Sequence, residues 1–213
     1  MEPQADTERK REGEDKPVSD ILHGTYIGHP GGYFRDGDHC YVVCRPFAYI
    51  DLKGYIHVVY PGHVSDGRSG KIGYYTIGPA FRSRYLFPAL VHDFYCANAK
   101  QHPAIKYQLA REACDRLFRE GVEGRGAYEA TEWAMYRAVR AHAWKHRNNV
   151  SVAFDPSDWL TAEYATLGRS FAWEAPHVAT SEGINLLEWV RTSQLDPIPA
   201  EVCRAVDSWN GAL

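Results

Sequence analysis

The sequence predicts an α+β domain in which a small antiparallel sheet precedes several helices. Two runs rich in β-branched and aromatic residues, Tyr41–Ile50 and Tyr55–Tyr60, have the composition of strands. Apolar residues at helical spacing begin only after Pro88. Because the strands come first along the chain and the helices follow, the α+β class is favoured over an alternating α/β fold.

Composition narrows the class of protein. The chain has 213 residues, of which 45% are hydrophobic and 24% charged, as expected for one globular domain with appendages. A net charge of −3 gives no basic excess, so no nucleic-acid partner is expected. No apolar run reaches the roughly 18 residues of a membrane span. The charged N-terminus lacks the apolar core of a secretory signal, and cysteine usage without a CxxC pair is typical of the cytoplasm.

We expect three parts: a disordered tail over 1–20, an α+β domain over 21–148 and a helical extension over 149–213 that packs on or beside the domain. Within the domain, the Gly-rich stretch Gly24–Gly37 predicts loop and turns. The two strand-like runs, joined by the four residues Asp51–Gly54, predict a hairpin. A further short strand is expected over Gly73–Ile77.

Three helices follow in the domain. The first is predicted over Ala89–Ala99, with Pro88 at its start. The second is predicted over Tyr107–Glu120, with Gly121 as the glycine that ends it. The third covers Tyr128–Lys145. The extension adds helices over 156–167, 183–192 and 199–209. One face of each of two helices is expected to pack against neighbouring elements. These faces consist of Leu109, Ala113 and Leu117 on the second helix, and of Ala130, Trp133, Ala134, Ala138 and Ala141 on the third.

His92 and Asp93 stand side by side in the apolar first helix, where a buried imidazole and carboxylate need partners. If the first two helices form an antiparallel pair, Asp115 can accept a hydrogen bond from one imidazole nitrogen, which leaves the other as a base. Asp93 would then face the loop Asp66–Gly70, whose oxygens suit Ca²⁺. A buried structural network is the alternative, with Arg111 as the partner of Asp93.

The chain resembles the DUF1353 family, a group of small proteins common in tailed phages and prophages. The resemblance rests on HVSDGRSGKI, ALVHDFYCANA, REACDRLFREGV and the later YRAVR. It runs roughly from Tyr55 to Val139 and implies a phage-type accessory or virion-associated protein. Ser65 stands where the family usually has Thr, and Cys96 stands where a Tyr is usual, with Tyr95 beside it. The matching residues are Asp66, Ser69, His92, Asp93, Arg111, Asp115 and Phe118.

The same motifs also resemble the active site of secreted phospholipase A2, mainly its bacterial and fungal branch. This resemblance implies that His92 activates water, that Asp115 orients His92, and that Asp93 and Asp66 bind Ca²⁺. Ser69, Arg111 and Tyr95 would support the site. If the first two helices pair as proposed, the Cα atoms of Cys96 and Cys114 should come within about 7 Å, although no disulfide is expected because nothing marks the chain as secreted.

Two functions therefore remain open. The first is a non-catalytic module that binds a phage or host protein. The alternative is a calcium-assisted hydrolase of an ester, such as a lipid, with His92 as general base. A cleft at His92 would favour the hydrolase, and a sealed site would favour the module. Other candidate sites are weaker: Cys40 and Cys44 lack zinc-finger spacing, and His142 and His146 lack the intervening Glu of a metalloprotease helix.

Overall fold

A computed structural model of the chain describes residues 24–34, 40–65, 85–101, 106–146, 158–171 and 181–204. The helices are α1 (Leu86–Gln101), α2 (Tyr107–Gly124), α3 (Glu129–His146), α4 (Ala162–Phe171) and α5 (Ser181–Thr192). The strands are β1 (Thr25–Ile27), β2 (Tyr33–Phe34), β3 (Tyr41–Val42), β4 (Phe47–Ile50), β5 (Ile56–Val59) and β6 (Val64–Ser65). The order of strands before helices confirms the α+β class. None of the described helices combines the length and the apolar character that crossing a membrane requires.

The strands form two antiparallel sheets of three strands each, in the orders β1-β4-β5 and β2-β3-β6. The predicted hairpin is confirmed, since β4 and β5 pair from Ile50 opposite Ile56 to Phe47 opposite Val59. In its loop, one carboxylate oxygen of Asp51 accepts hydrogen bonds from two backbone amides. The predicted first strand is split into β3 and β4, and Pro46, which cannot donate to a strand ladder, lies between them.

The prediction of loop and turns over 24–37 is wrong for β1 and β2. Thr25–Ile27 pairs with β4, and Tyr33–Phe34 pairs with β3. These strands are too short to give an alternating pattern, so their pairing depends on partners distant in sequence. The predicted strand over 73–77, the tail over 1–20 and the loop over 66–70 lie outside the described residues.

α1 begins at Leu86, so Pro88 lies within its first turn, where a proline removes no helical hydrogen bond. α2 continues through Gly121 to Gly124, and the prediction that Gly121 ends the helix is wrong. Gly121 is buried, and a Cβ there would overlap the hydroxyl group of Tyr26 in β1. The glycine therefore allows close approach of a strand. Leu109, predicted in a packed face, is 63% exposed.

The face that α3 buries differs from the predicted one. Met135 and Val139 are buried together with Phe118 and Val122 of α2. The predicted alanine-rich face points mainly to solvent instead, and it includes Trp133, which is 39% exposed. Apolar residues therefore occur on both sides of this helix, with Met135 and Val139 on the buried side and the alanines and Trp133 on the exposed side.

Residues beyond 157 take part in the same core as the sheet. Trp159 pairs with His63 in an isolated bridge. α4 begins after this bridge, at Ala162, and not at the predicted Pro156. Leu187 and Val190 of α5 are buried in the main hydrophobic cluster with β4 and β5. The predicted helices over 183–192 and 199–209 correspond to α5 and to helical residues 200–204, with 205–209 outside the described residues.

Candidate functional site: a histidine held between two carboxylates

His92 of α1 lies between two aspartates, one on its own helix and one on α2. Its Nε2 atom is 2.9 Å from Oδ1 of Asp115, which confirms the predicted contact between the two helices. Its Nδ1 atom is 2.9 Å from Oδ1 of Asp93. The expectation that one nitrogen would be left as a base facing a cleft is wrong, because both are hydrogen-bonded and the residue is 1% exposed.

This geometry determines the charge of the imidazole ring. A carboxylate only accepts hydrogen bonds, so both ring nitrogens must carry a proton to satisfy the two aspartates. Burial alone would lower the pKa of His92. The negative charge of Cys96 and the hydrogen bonds to Asp115 and Asp93 nevertheless hold that pKa well above its ordinary value of 6.5. His92 is therefore a buried imidazolium at neutral pH.

Asp115 is fully buried and has cationic partners on both oxygens. Arg111 donates from Nε to Oδ1 at 3.1 Å, and Arg140 of α3 donates from Nη1 to Oδ2 at 3.1 Å. Burial would raise the pKa of Asp115, but the hydrogen bond to His92 and the neighbouring cations lower it. Arg140 also reaches Glu112 at 3.1 Å. Three cations, His92, Arg111 and Arg140, thus alternate with three carboxylates across α1, α2 and α3.

Asp93 completes the network toward the sheet. Its Oδ2 atom accepts a hydrogen bond of 2.5 Å from the hydroxyl of Ser65 at the end of β6. Its side chain, at 15% exposure, is the most accessible of the His92–Asp93–Asp115 group. Arg111 pairs with Asp115, so the alternative in which Arg111 neutralises Asp93 is wrong.

Asp93 is the one predicted metal ligand that lies within the described residues. Asp66 and Ser69, the other predicted contributors, lie outside the described residues. Within the parts of the chain that the structure describes, no group of three or more His, Cys, Asp or Glu side chains is placed to hold a metal. Asp93 and Ser65 alone offer fewer oxygens than the six to eight that Ca²⁺ takes. The described donors therefore do not fit a calcium site by themselves.

Two buried cysteines adjoin the network. The Sγ atom of Cys96 is 3.6 Å from Nε2 of His92, and the thiols of Cys96 and Cys114 hydrogen-bond to each other. This agrees with the predicted proximity, and neither cysteine is in a disulfide. Burial would raise the pKa of Cys96, but the bond with Cys114 and the charges of His92 and Arg111 lower it to about 5.

Several residues of the site escaped sequence reasoning. Ser65 and Arg140 contact it directly, and each stands in or beside a motif of the family resemblance. Their side-chain partners are 28 and 25 residues away, a separation at which spacing gives no information. Tyr95, predicted as supporting, lies against the sheet, with its ring centre 5.4 Å from that of His57 in β5.

His63 was also missed. It is fully buried beside β6, with its ring edge-on to Phe94 and Trp159. Among the residues that the structure describes, neither ring nitrogen has a partner at hydrogen-bonding geometry, although the backbone of Asp158 lies near enough to raise the pKa of the ring slightly. Burial lowers the pKa of His63 to about 4, so it is neutral where His92 is charged.

Residues 41–139 match the model of the DUF1353 family, described as a protein of unknown function. The match confirms the family resemblance for this segment and extends it to Tyr41, further toward the N-terminus than the motifs indicated. It contains β3 to β6 and α1 to α2 in full, together with His92, Asp93, Arg111 and Asp115. No curated protein and no solved structure matches the chain significantly.

Proposed function

We propose that the segment matched by the DUF1353 model, with the helices that follow it, forms a non-catalytic binding module. In the phage-type setting that the family resemblance implies, this module would be an accessory or virion-associated protein that binds another protein. His92, Asp93 and Asp115 would then serve the scaffold rather than a reaction.

The state of His92 is the observation that carries this proposal. A general base needs an unprotonated nitrogen within hydrogen-bond reach of the proton it removes. Both nitrogens of His92 donate to carboxylates, and the ring is enclosed by the protein. An imidazolium in this position can neither accept a proton from water nor contact an ester.

The network has a mechanical role that accounts for its charges. Asp115 joins α2 to His92 of α1 and to Arg140 of α3, while Asp93 joins α1 to Ser65 of β6. Each bond links elements that are distant along the chain. The network therefore fixes the positions of three helices relative to one sheet, which is what a module with a rigid binding surface requires.

Turnover assays on the full chain test the proposal. The substrates are a p-nitrophenyl ester and phospholipid vesicles, each with Ca²⁺ and with EDTA. We expect no hydrolysis above that of the His92→Gln variant. Hydrolysis by the parent that depends on both Ca²⁺ and His92 would contradict the scaffold role.

The calcium-assisted ester hydrolase stays a second candidate because of one observation. Asp93, the carboxylate that would bind the cation, is the most accessible of the three, and it contacts Ser65, which directly precedes the predicted loop over 66–70. If Asp93 bound a cation and gave up its hydrogen bond with His92, the Nδ1 atom of His92 would lose its acceptor. The pair of His92 with Asp115 would then have the arrangement of a base and its orienting carboxylate.

A calcium-titrated thermal melt separates the two candidates. The hydrolase requires that saturating Ca²⁺ raise the melting temperature of the parent, by mass action on the native state. It also requires that Asp93→Asn abolish the rise, while Asp51→Asn, a control carboxylate in the hairpin loop, leaves the rise intact. A melting temperature that does not respond to Ca²⁺ is the result that the binding module predicts.

A further inference from the structure

Two buried cysteines face each other where α1 packs against α2. Cys96 lies one helical turn after His92 on α1, and Cys114 directly precedes Asp115 on α2. The contact between His92 and Asp115 therefore places the two thiols next to each other. They hydrogen-bond to each other, and neither is in a disulfide.

The surroundings of Cys96 are positively charged. Its Sγ atom lies 3.6 Å from Nε2 of His92, a ring that carries a proton on both nitrogens. Arg111 of α2 is a second cation whose charge acts on the same thiol. Burial would raise the pKa of Cys96, but the bond with Cys114 and the two cations lower it to about 5. Cys96 is therefore a thiolate at neutral pH, and the thiolate is the nucleophilic form of cysteine.

Cys114 differs from Cys96 in the state of its sulfur. Burial and the hydrogen bond to Cys96 raise the pKa of Cys114 well above its ordinary value, so this thiol keeps its proton. A thiolate beside a second thiol is the arrangement found at cysteines that are oxidised to a sulfenic acid and then resolved as a disulfide.

We propose that Cys96 is a site of reversible oxidation by hydrogen peroxide and that Cys114 resolves the oxidised cysteine as a disulfide. In the first step the Cys96 sulfur attacks a peroxide oxygen. An S–O bond forms, the O–O bond breaks, and the leaving oxygen takes a proton from solvent and departs as water. In the second step the Cys114 sulfur attacks the Cys96 sulfur, the S–O bond breaks, and the oxygen departs as water with the proton of Cys114. The two sulfurs together lose two electrons, which reduce the peroxide.

Burial of the two sulfurs restricts the oxidant. Cys96 is 4% exposed and Cys114 is 2% exposed, so a bulky oxidant such as a peptide disulfide does not reach them in the closed fold. Hydrogen peroxide is small and uncharged, and local opening of the helix pair is enough to admit it. This inference goes beyond the proposed function, because it holds whether or not the module binds a partner.

Peroxide treatment of the folded full chain, followed by trypsin digestion and mass spectrometry, tests the inference. Trypsin leaves the two cysteines in separate peptides, 85–100 and 112–116, so that only a disulfide joins them. We expect this linked pair of peptides, which dithiothreitol separates again. In Cys114→Ser, dimedone should label Cys96 as its sulfenic acid, whereas in Cys96→Ser the thiol of Cys114 should stay reduced.

Cys44 is the matched control for access to the oxidant. It is 2% exposed and thus as deeply buried, but burial raises its pKa to about 12. In the folded chain, Cys96 should be oxidised about tenfold or more faster than Cys44, because only the thiolate reacts. In urea the two rates should agree within about threefold, because both thiols then have similar surroundings.

Circular dichroism confirms that each variant is folded before the peroxide is added. The inference is overturned if Cys96 stays reduced in the folded chain or is oxidised no faster than Cys44. It is also overturned if Cys114 is oxidised in Cys96→Ser at the rate of the parent, because the reaction would then not begin at Cys96.

Discussion

At the scale of single residues, the positive charge of His92 is required by its two carboxylate neighbours. Replacing it with Gln keeps a polar side chain but removes the positive charge between Asp93 and Asp115. Because loss of one member of a buried ion pair leaves an uncompensated charge, we expect His92→Gln to lower the free energy of unfolding by about 3–5 kcal/mol. Urea denaturation measures this. His142→Gln, an exposed histidine on α3, serves as the control, and an equal loss in both variants would contradict the charged network.

The contribution of His63 to the free energy of unfolding depends on pH. The native pKa of about 4 lies below the ordinary value of 6.5, so the unfolded chain binds the proton first as the pH falls. His63 therefore contributes stability above pH 6.5, and this contribution is lost between pH 6.5 and about 4, on the order of 3 kcal/mol in all.

The variant His63→Phe keeps the ring contacts with Phe94 and Trp159 and removes the titration. We expect the free energy of unfolding of this variant to fall less than that of the parent between pH 7 and pH 4.5. Urea melts at the two pH values measure the difference. Equal slopes for parent and variant would show that His63 is not held neutral by burial.

At the scale of secondary-structure elements, the packing of α2 against β1 accounts for a glycine at position 121, and the end of the helix does not. Gly121→Ala should cost about 1–3 kcal/mol, since the added Cβ meets the Tyr26 hydroxyl. That hydroxyl is buried and has no hydrogen-bond partner among the described residues, so Tyr26→Phe removes the obstacle at little cost. In the Tyr26→Phe background, Gly121→Ala should become neutral or stabilising, because alanine favours the helix. Thermal unfolding of the four proteins measures this, and an equal cost in both backgrounds would contradict it.

Sequence reasoning succeeded where the determinant is local or periodic. The hairpin of β4 and β5 follows from two strand-like runs and a short loop, and the pair of His92 with Asp115 follows from two helices joined by a short break. It failed at Asp93. Neighbouring residues on a helix point about 100° apart, but Nδ1 lies close enough to the His92 backbone for the next side chain to reach it. Ser65 and Arg140 could not be assigned, because their contacts depend on how β6 and α3 pack.

At the scale of the whole molecule, the fold extends beyond the segment that matches DUF1353. The sheet partner β1 precedes residue 41, and α5 follows residue 139. Gln194, just after α5, accepts a hydrogen bond from the amide of His29 and donates one to the carbonyl of Pro46. These bonds connect the end of α5 to the residues that follow β1 and to the residue that precedes β4.

Leu187 tests whether α5 belongs to the cooperative core. It is 3% exposed within the main cluster, so Leu187→Ala should cost about 2–5 kcal/mol. Leu195→Ala, at a position that is 86% exposed, should change stability by less than about 0.5 kcal/mol. Guanidinium melts followed by both circular dichroism and tryptophan fluorescence measure the change. Two separate transitions would contradict a single core.

The central claim, that His92 is a buried imidazolium and not a base, is tested most directly by nitrogen NMR of the full chain labelled at histidine. We predict that at pH 7 both Nδ1 and Nε2 of His92 carry protons, and that the ring titrates well above 6.5. Assignment through the His92→Gln variant identifies the signal. A neutral ring at pH 7 with an unprotonated Nδ1 would contradict this account and return His92 to the role of a general base.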